Sequence, residues 1–244
     1  MKAHRTVLAL FGLAATCVSP GVSSAQELAE PVRFIRPAKP KPLGRIDSTV
    51  RGPNPIRLIA MTPKDDGAMT ATAQPQLHWY ISGATDLSAT FSLRKHPNVA
   101  PNPILECEVR GPIAAGVHEI RLRDLGVTLD SNADYGWYVR LNEPAGARPL
   151  TVITSYIVVP ELSSVGALGA GTPSPEARYK TYMQRGYWYD ALATIVGLLE
   201  SVPLSTDYRN RYVELLKDGG LDDVAARVTT PPRVTSVCAA KPVR

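Results

Sequence analysis

The feature that most constrains the fold is a series of short segments between Ile56 and Pro160 in which apolar and polar residues alternate. Successive side chains of a strand point to opposite faces, so this alternation is typical of half-buried strands. Residues common in turns separate the segments, which read IRLIAM, PQLHWYI, SATFSLR, PILECEV, GVHEIRL, YGWYVRL and TVITSYIVV. No helical period interrupts them. The pattern predicts an antiparallel β-sandwich of about seven strands over residues 56–160.

Two aromatic residues sharpen this prediction. In LHWYI the alternation places Trp79 between the sheets, whereas His78 and Tyr80 face the other way. Tyr135 follows Leu129 by six residues at the head of a predicted strand. This spacing resembles the tyrosine corner of fibronectin type III and immunoglobulin-like sandwiches, in which a tyrosine hydroxyl bonds to nearby backbone. The resemblance implies a fold of that type.

After a connector of small residues, 161–174, the sequence takes a helical period. Ser174 and Pro175 predict the start of a helix that ends at Gly186. A second helix is predicted from Trp188 to Ser201, and Ser205 predicts the start of a third helix that Gly219 and Gly220 close. We therefore expect a C-terminal helical hairpin subdomain over residues 175–228, followed by a disordered tail, 229–244.

The first two helices resemble one tetratricopeptide-type hairpin. The resemblance rests on a tyrosine, a turn glycine, an aromatic residue, a close-contact alanine and a terminating proline, which are Tyr182, Gly186, Trp188, Ala191 and Pro203. A single hairpin cannot bury its own apolar face, so it must pack on the sandwich, the third helix or another protein. We expect Trp188 to be a packing residue and Tyr187 and Tyr189 to be exposed and available to a partner.

The N-terminus predicts export. Residues 1–25 have a basic start, an apolar segment and a small-x-small pattern ending at Ala25, which is typical of a signal peptide cleaved after that residue. The alternative is a lipid-anchored Cys17. Export predicts a periplasmic or secreted protein, and no later segment is long and apolar enough to be a transmembrane segment. The proline-rich and basic residues 26–55 predict an extended linker.

Charge and cysteines limit the partners further. The formal net charge is +5, and Lys2 and Arg5 lie in the predicted signal peptide, so a mature chain carries +3. This small excess gives no support for nucleic acid as a partner. A mature chain retains Cys107 in a predicted strand and Cys238 in the tail. A disulfide is one possibility, but nothing local brings them together, so we expect them to be unpaired.

Motifs that carry chemistry are missing from the sequence. Asp130 to Gly136 resembles the start of a calcium loop, but Leu141 stands where a closing Glu is needed, so a turn is favoured. His78, His96 and His118 each stand alone in their segments, and no G-x-S-x-G motif occurs. We predict no catalytic residues, no metal site and no cofactor.

Several segments together resemble one known family. They are MTPKDDG, HWYI, ATFSL, YGWYV, GYWYDAL and LLKDGGLDDVA, with the last two the most specific. Between Leu58 and Arg227 the chain is similar to the family of the domain of unknown function 928. The resemblance implies an exported protein and supplies no activity, cofactor or catalytic residue to transfer.

These observations favour a non-catalytic, exported protein that binds another exported or envelope protein. The alternative is a module that binds glycan or cell wall through stacking tyrosines, which are Tyr80, Tyr138, Tyr187 and Tyr189. A third hypothesis, an enzyme, requires a deep pocket in which titratable groups converge.

Overall fold

A computed structural model describes residues 32–37, 44–50, 55–65, 67–97, 102–142, 151–161, 173–227, 235–236 and 238–240. The predicted signal peptide and most of the predicted connector 161–174 lie outside these residues. The described chain contains eleven strands in two sheets and four helices.

The first sheet has five strands in the order β1-β2-β4-β7-β10. They are β1 (Ser48–Val50), β2 (Ile56–Ala60), β4 (Gln76–Ile81), β7 (Gly116–Arg121) and β10 (Thr235–Ser236). The second sheet has six strands in the order β11-β6-β5-β8-β9-β3. They are β3 (Ala68–Met69), β5 (Ala89–His96), β6 (Leu105–Val109), β8 (Ala133–Leu141), β9 (Thr151–Val159) and β11 (Ala239–Ala240).

The prediction of strands followed by helices is confirmed. Each of the seven predicted segments contains a strand, and four short strands add to them in the described chain. The purely antiparallel arrangement is wrong at two edges, since β3 pairs with β9 and β10 pairs with β7 in parallel. Both exceptions are two residues long, too short to show an alternating pattern in the sequence.

The two sheets enclose a shared apolar core. Along β5 the inward residues Ala89, Phe91 and Leu93 are fully buried, and on β8 Trp137 and Val139 are fully buried as well. From the opposite sheet Trp79, 1% exposed, points into the same core as predicted. Its ring stacks on His118, with 4.6 Å between ring centroids.

The helices begin and end at the predicted signals. They are α1 (Pro175–Arg185), α2 (Trp188–Ser201), α3 (Thr206–Asp218) and α4 (Asp222–Ala225). The hydroxyl of Ser174 accepts the N–H of Ala177, and that of Ser205 accepts the N–H of Tyr208. Gly186 ends α1 in the left-handed conformation, with φ of 74°.

The helices cover the outer face of the five-stranded sheet. Helix α2 contacts β4 of this sheet and also β3 at the edge of the other sheet. The side chains of β4 and β7 that point away from the core, among them His78, Tyr80 and Glu119, are also buried. This sheet is therefore covered on both faces. None of the helices in the described ranges is long and apolar enough to span a bilayer.

Part of the predicted linker, residues 26–55, is described, and its stretches 32–37 and 44–50 contact the folded body. The N–H of Ile35 donates to Met183 O on α1, and the N–H of Phe34 donates to Asp218 at the end of α3. Further along, the guanidinium of Arg45 donates to the main-chain oxygens of Gly219 and Gly220. Residues 32–37 and 44–50 are thus packed on the helices and the sheets, because their few apolar and basic side chains find partners there.

A disulfide joins the C-terminal tail to the second sheet. Cys238 forms a disulfide with Cys107 of β6, with 5.6 Å between their Cα atoms. The expectation of unpaired cysteines is therefore wrong, and residues 235–236 and 239–240 of the predicted tail pair with strands of the two sheets. The reason is long-range pairing, since β10 joins β7 and β11 joins β6, which brings Cys238 to the second sheet.

Candidate functional site

The three residues at the start of α2 dock the helices on the sheets. The indole N–H of Trp188 donates to the main-chain oxygen of Met61, just after β2, at 2.8 Å. The Trp188 side chain is fully buried and meets Phe34 edge-on, with ring centroids 5.1 Å apart. Trp188 is therefore a packing residue, as predicted, and it joins α2 to β2 and to the N-terminal segment.

Tyr189 and Asp190 continue the same contact. The hydroxyl of Tyr189 accepts the indole N–H of Trp137 at 2.8 Å and donates to Tyr156 O at 3.0 Å. The carboxylate of Asp190 accepts the N–H of Ala71 at 2.7 Å. All three side chains of this triplet thus bond to the two-sheet body.

The predicted exposure of three tyrosines is wrong. Tyr189 is 1% exposed and Tyr187 is 7% exposed, so the prediction that they form an exposed partner surface is wrong. Tyr80, at 7%, is covered as well and is removed from the glycan-stacking tyrosines. The predictions failed because the start of α2 is packed against the two-sheet body, so these side chains have little contact with solvent.

The other residues of the predicted hairpin lie where helices meet or end. Ala191 is fully buried, and Tyr182 is half-buried with its ring edge-on to Tyr187 at 6.4 Å. A Cβ atom at Gly186 would lie 2.7 Å from Ile35 O, so glycine is needed for close approach as well as for its positive φ. Pro203 is exposed in the turn after α2.

Tyr135 makes a backbone contact at the head of β8. Its hydroxyl accepts the N–H of Asp130 at 2.8 Å, and burial is the largest cause of the raised pKa of this phenol. Asp130 also pairs with Lys95 at 2.9 Å. The stretch that imitates a calcium loop is thus a turn held by these bonds.

The outer face of the six-stranded sheet is accessible, in contrast to that of the five-stranded sheet. A shallow groove of about 510 Å³ lies on it. We call this surface the open face, defined by Thr90, Ser92, Arg94, Glu106, Tyr138, Arg140 and Val152. Strand pairing places Thr90 beside Arg140 and Ser92 beside Tyr138, so the surface is formed by neighbouring strands. It combines hydroxyls, both signs of charge and one aromatic ring.

The ring of Tyr138 lies along β8. A Cβ atom at Gly136 would be 3.0 Å from the Tyr138 hydroxyl oxygen and 3.4 Å from a ring carbon of Tyr156. Glycine at position 136 therefore leaves room for the Tyr138 side chain, which a Cβ atom there would crowd. Tyr156, in turn, meets His96 edge-on at 5.2 Å. The three rings form an aromatic strip on the outer surface of this sheet.

A second cavity lies between the helices and one end of the five-stranded sheet, where β4 begins and β7 ends. Its volume is about 520 Å³, and a further cavity of about 380 Å³ shares four of its lining residues. We call the two together the arginine cleft, because Arg121, Arg123 and Arg178 line it. Helix α2 contributes small residues at helical spacing, which leave room beside the sheet: Ala193, Thr194, Gly197 and Ser201.

Acidic groups also border this cleft. Burial raises the pKa of Asp190 to about 6, against the opposing effect of the Ala71 N–H and the Thr70 hydroxyl. The Nε of Arg121 donates to the carboxylate of Glu119 at 2.8 Å. Burial is the main cause of the raised pKa of Glu119. Asp124 is an exposed member of the lining. Titratable groups therefore converge here more than the sequence suggested.

The histidines do not meet. His78 lies under the helices, His118 points into the core beside Trp79, and His96 lies on the outer surface of the six-stranded sheet. Burial, and secondarily Arg121, lowers the pKa of His78 to about 3. Within the described ranges no group of three or more His, Cys, Asp or Glu side chains is placed to hold a metal ion.

Sequence reasoning missed both surfaces for different reasons. The open face was within reach, because the polar positions of SATFSLR and YGWYVRL must share one side of paired strands. The arginine cleft was not, since its arginines come from β7, the turn after it and α1. No spacing in the sequence links those three positions.

Comparison with known proteins agrees with the resemblance in the sequence. No curated protein gives a significant match to the chain. The family model described as Domain of Unknown Function (DUF928) matches residues 46–229, which is more than half of the chain. This range includes both sheets' main strands, all four helices and the docking triplet of α2, and the chain belongs to the DUF928 family.

Proposed function

We propose that this protein is an exported, non-catalytic binding module and that another exported or envelope protein binds its open face. The observation that carries the proposal is the contrast between the two outer sheet surfaces. Helices cover one of them, whereas the other displays Arg140 and Val152 as exposed side chains beside the half-buried Tyr138. Tyrosine and arginine are the residues that protein interfaces favour.

The helical hairpin does not serve as the docking surface in this proposal. Its apolar side chains, such as Leu192, Ile195 and Leu199, are already buried against the rest of the chain. A partner that needed them would have to displace the contacts of Trp188, Tyr189 and Asp190 with the sheets. The open face needs no such rearrangement, and pre-formed surfaces bind at lower cost.

Export is supported by two independent features. The N-terminal sequence is typical of a signal peptide, and Cys107 pairs with Cys238. Disulfides persist in oxidising compartments and are rare in the cytosol. The partner is therefore sought among proteins outside the cytoplasm.

A cross-linking experiment tests the proposal. A photoreactive residue replaces Arg140 on the open face, and the control places it at Asp222, an exposed residue of α4. With extract from the cell envelope, we expect a discrete cross-linked species only from position 140. Unlabelled wild-type protein should compete, and the double variant Tyr138→Ala/Arg140→Glu should not. Equal labelling from both positions, or none from either, contradicts the proposal.

Glycan binding is the second candidate, favoured by the ring of Tyr138 lying over Gly136. A flat aromatic ring flanked by hydroxyl and guanidinium groups suits a sugar face and its hydroxyls. In co-sedimentation with isolated cell-wall glycan, we expect Tyr138→Ala to lose binding and Tyr138→Trp to keep it. Arg123→Gln, on another side of the molecule, is the control. If the wild-type protein stays in the supernatant, this candidate fails.

We infer further that the two-sheet body is of the fibronectin or immunoglobulin type and that α1 and α2 are a tetratricopeptide-like hairpin. The bond between the Tyr135 hydroxyl and the Asp130 N–H at the head of β8 supports the first assignment. The strand order supports it too, with β2, β4 and β7 in one sheet and β6, β5, β8 and β9 in the other. An experimental structure with a different strand order would overturn it.

A further inference from the structure

We propose that the arginine cleft binds a small ligand carrying an oxyanion, either a carboxylate or a phosphate, through Arg123 and Arg178. The cleft lies apart from the open face, and the proposal is independent of the function assigned above. Its cavity of about 520 Å³ falls in the size range of small-molecule pockets. Arginine recognises both kinds of oxyanion through paired, charge-assisted hydrogen bonds.

The three arginines reach the cleft from different elements, with different roles. Arg121, at the end of β7, is half-buried, and its Nε donates to the buried Glu119 at 2.8 Å. That bond fixes the guanidinium and offsets its charge. Arg123 and Arg178 are exposed members of the same lining, from the turn after β7 and from α1. They are the cations that a bound oxyanion would contact.

The acidic residue on the floor of the cleft already has donors of its own. Asp190 is 8% exposed, and its two oxygens face the N–H of Ala71 at 2.7 Å and the hydroxyl of Thr70 at 3.4 Å. These bonds hold the carboxylate against the loop after β3 rather than against the arginines. Asp124 is the remaining acid of the lining, and its exposed charge opposes an anion there.

The rest of the lining indicates a ligand that is polar and elongated. Gln76 and Thr194 border both parts of the cleft, and the small residues of α2 keep it open as far as Ser201. Asp190 and Ser201 are eleven residues apart, so the lined side of α2 is about 16 Å long. A Cβ atom at Gly197 would meet nothing within 4 Å, which shows that this part of the helix faces free space.

Calorimetric titration of the full chain at low ionic strength tests the proposal, with inorganic phosphate and citrate as probes. We expect at least one probe to bind at millimolar concentration. The double variant Arg123→Gln/Arg178→Gln should bind at least about tenfold more weakly, since it removes the charge-assisted hydrogen bonds of both guanidiniums. Asp124→Asn should bind more tightly, because it removes a nearby negative charge. Arg94→Gln, on the open face, is the matched control and should bind as the wild type does.

The outcomes separate clearly. Binding of phosphate but not citrate assigns a phosphorylated ligand, and the reverse assigns a carboxylated one. Both arginines are exposed, so the double variant should unfold at the wild-type temperature, and this is measured first. If neither probe binds, or if the double variant and wild type bind equally, the cleft is not an oxyanion site. Neither result bears on the cross-linking experiment, which tests the open face.

Discussion

The hydroxyl of Tyr189 lies 2.8 Å from the indole nitrogen of Trp137, so a residue of the second helix completes the hydrogen bonding of a core tryptophan. Trp137 is fully buried between the sheets, and its N–H has no access to water. The same hydroxyl donates to Tyr156 O. The Tyr189 hydroxyl thus makes two hydrogen bonds to the two-sheet body, one as acceptor and one as donor. The helices and the sheets therefore share one core.

The first prediction follows from this bond. Tyr189→Phe keeps the ring but leaves the Trp137 N–H buried without its acceptor, which costs about 1 to 3 kcal/mol. We expect the free energy of unfolding in urea to fall by that amount. Tyr138→Phe, which removes a hydroxyl from the open face, is the control and should change it by under about 0.5 kcal/mol. If Tyr189→Phe changed the free energy of unfolding as little as Tyr138→Phe does, the hydroxyl of Tyr189 would not be needed for stability.

The second prediction concerns Asp190 and pH. Burial raises the pKa of Asp190 from 3.8 to about 6 in the folded chain, so the folded state takes up this proton before the unfolded state does. Its contribution to stability therefore increases as pH falls from about 6 to 4, by about 1.4 kcal/mol for each pH unit. Relative to Asp190→Asn, the wild type should gain stability over that range.

Denaturant unfolding from pH 8 to pH 4 measures this difference. Asp124→Asn, which removes an exposed carboxylate of the same cleft, controls for the general loss of negative charge. A constant difference between wild type and Asp190→Asn across the range would mean that Asp190 is not titrating with a raised pKa.

The third prediction concerns His78, whose effect has the opposite sign. Burial lowers the pKa of His78 from 6.5 to about 3, so below pH 6.5 the unfolded chain binds a proton that the folded chain does not. The stability supplied by neutral His78 is lost as pH falls from 6.5 towards 3, by about 1.4 kcal/mol per pH unit. His78→Leu should remove this loss and unfold at lower pH than the wild type does.

Acid titration followed by near-ultraviolet circular dichroism checks the result. His96→Gln, which alters a histidine on the outer surface of the other sheet, is the control. Because Asp190 and His78 act in opposite directions between pH 6 and pH 4, the wild-type profile alone does not separate them. If His78→Leu unfolds at the same pH as the wild type, His78 does not control acid stability.

The fourth prediction concerns the disulfide. Cys107 and Cys238 are 131 residues apart, so their bond restricts a long loop in the unfolded chain. Disulfides that close long loops stabilise by about 2 to 4 kcal/mol in most cases. We expect Cys238→Ser to lower the free energy of unfolding by that amount, and reducing agent to do the same to the wild type.

The double variant Cys107→Ser/Cys238→Ser is the control, because reducing agent should leave it unchanged. A wild type whose unfolding midpoint is the same with and without reductant would show that the bond does not contribute in solution. Loss of the bond should also free β10 and β11, which hydrogen exchange of residues 235–240 would report.

The helices were predictable because their signals are local. Ser174 and Ser205 cap helices through their own hydroxyls, and Gly186 adopts the left-handed conformation that a helix end favours. Tyr187 and Tyr189 have no such local signal, but the composition of the whole helix α2 indicates their burial. A helix with apolar residues around most of its circumference is typically buried. The segment WYDALATIVGLL carries that signal.

Two contacts between residues far apart in the sequence were not predictable. The pairing of Cys238 with Cys107 depends on two strands of two residues each, which no periodicity reveals. The packing of Arg45 depends on the oxygens of Gly219 and Gly220, more than 170 residues away in sequence. The described residues of the predicted linker and of the predicted tail are packed against the folded body through these contacts.

The last prediction compares alanine substitutions at two glycines, Gly219 at the C-terminal end of α3 and Gly197 inside α2. A Cβ atom at Gly219 would lie within 3.0 Å of three ring carbons of Trp188, which is itself held by its bond to Met61 O. Gly219→Ala must therefore displace either the indole or the end of α3, and overpacking of this kind costs about 1 to 3 kcal/mol. The matched control is Gly197→Ala, because a Cβ atom at Gly197 meets nothing within 4 Å. Since Gly197 lies inside α2, alanine should stabilise the chain by about 0.5 to 1 kcal/mol. Thermal unfolding of the two variants should thus shift in opposite directions. A shift of the same sign in both would show that the indole of Trp188 can move away from Gly219 without loss.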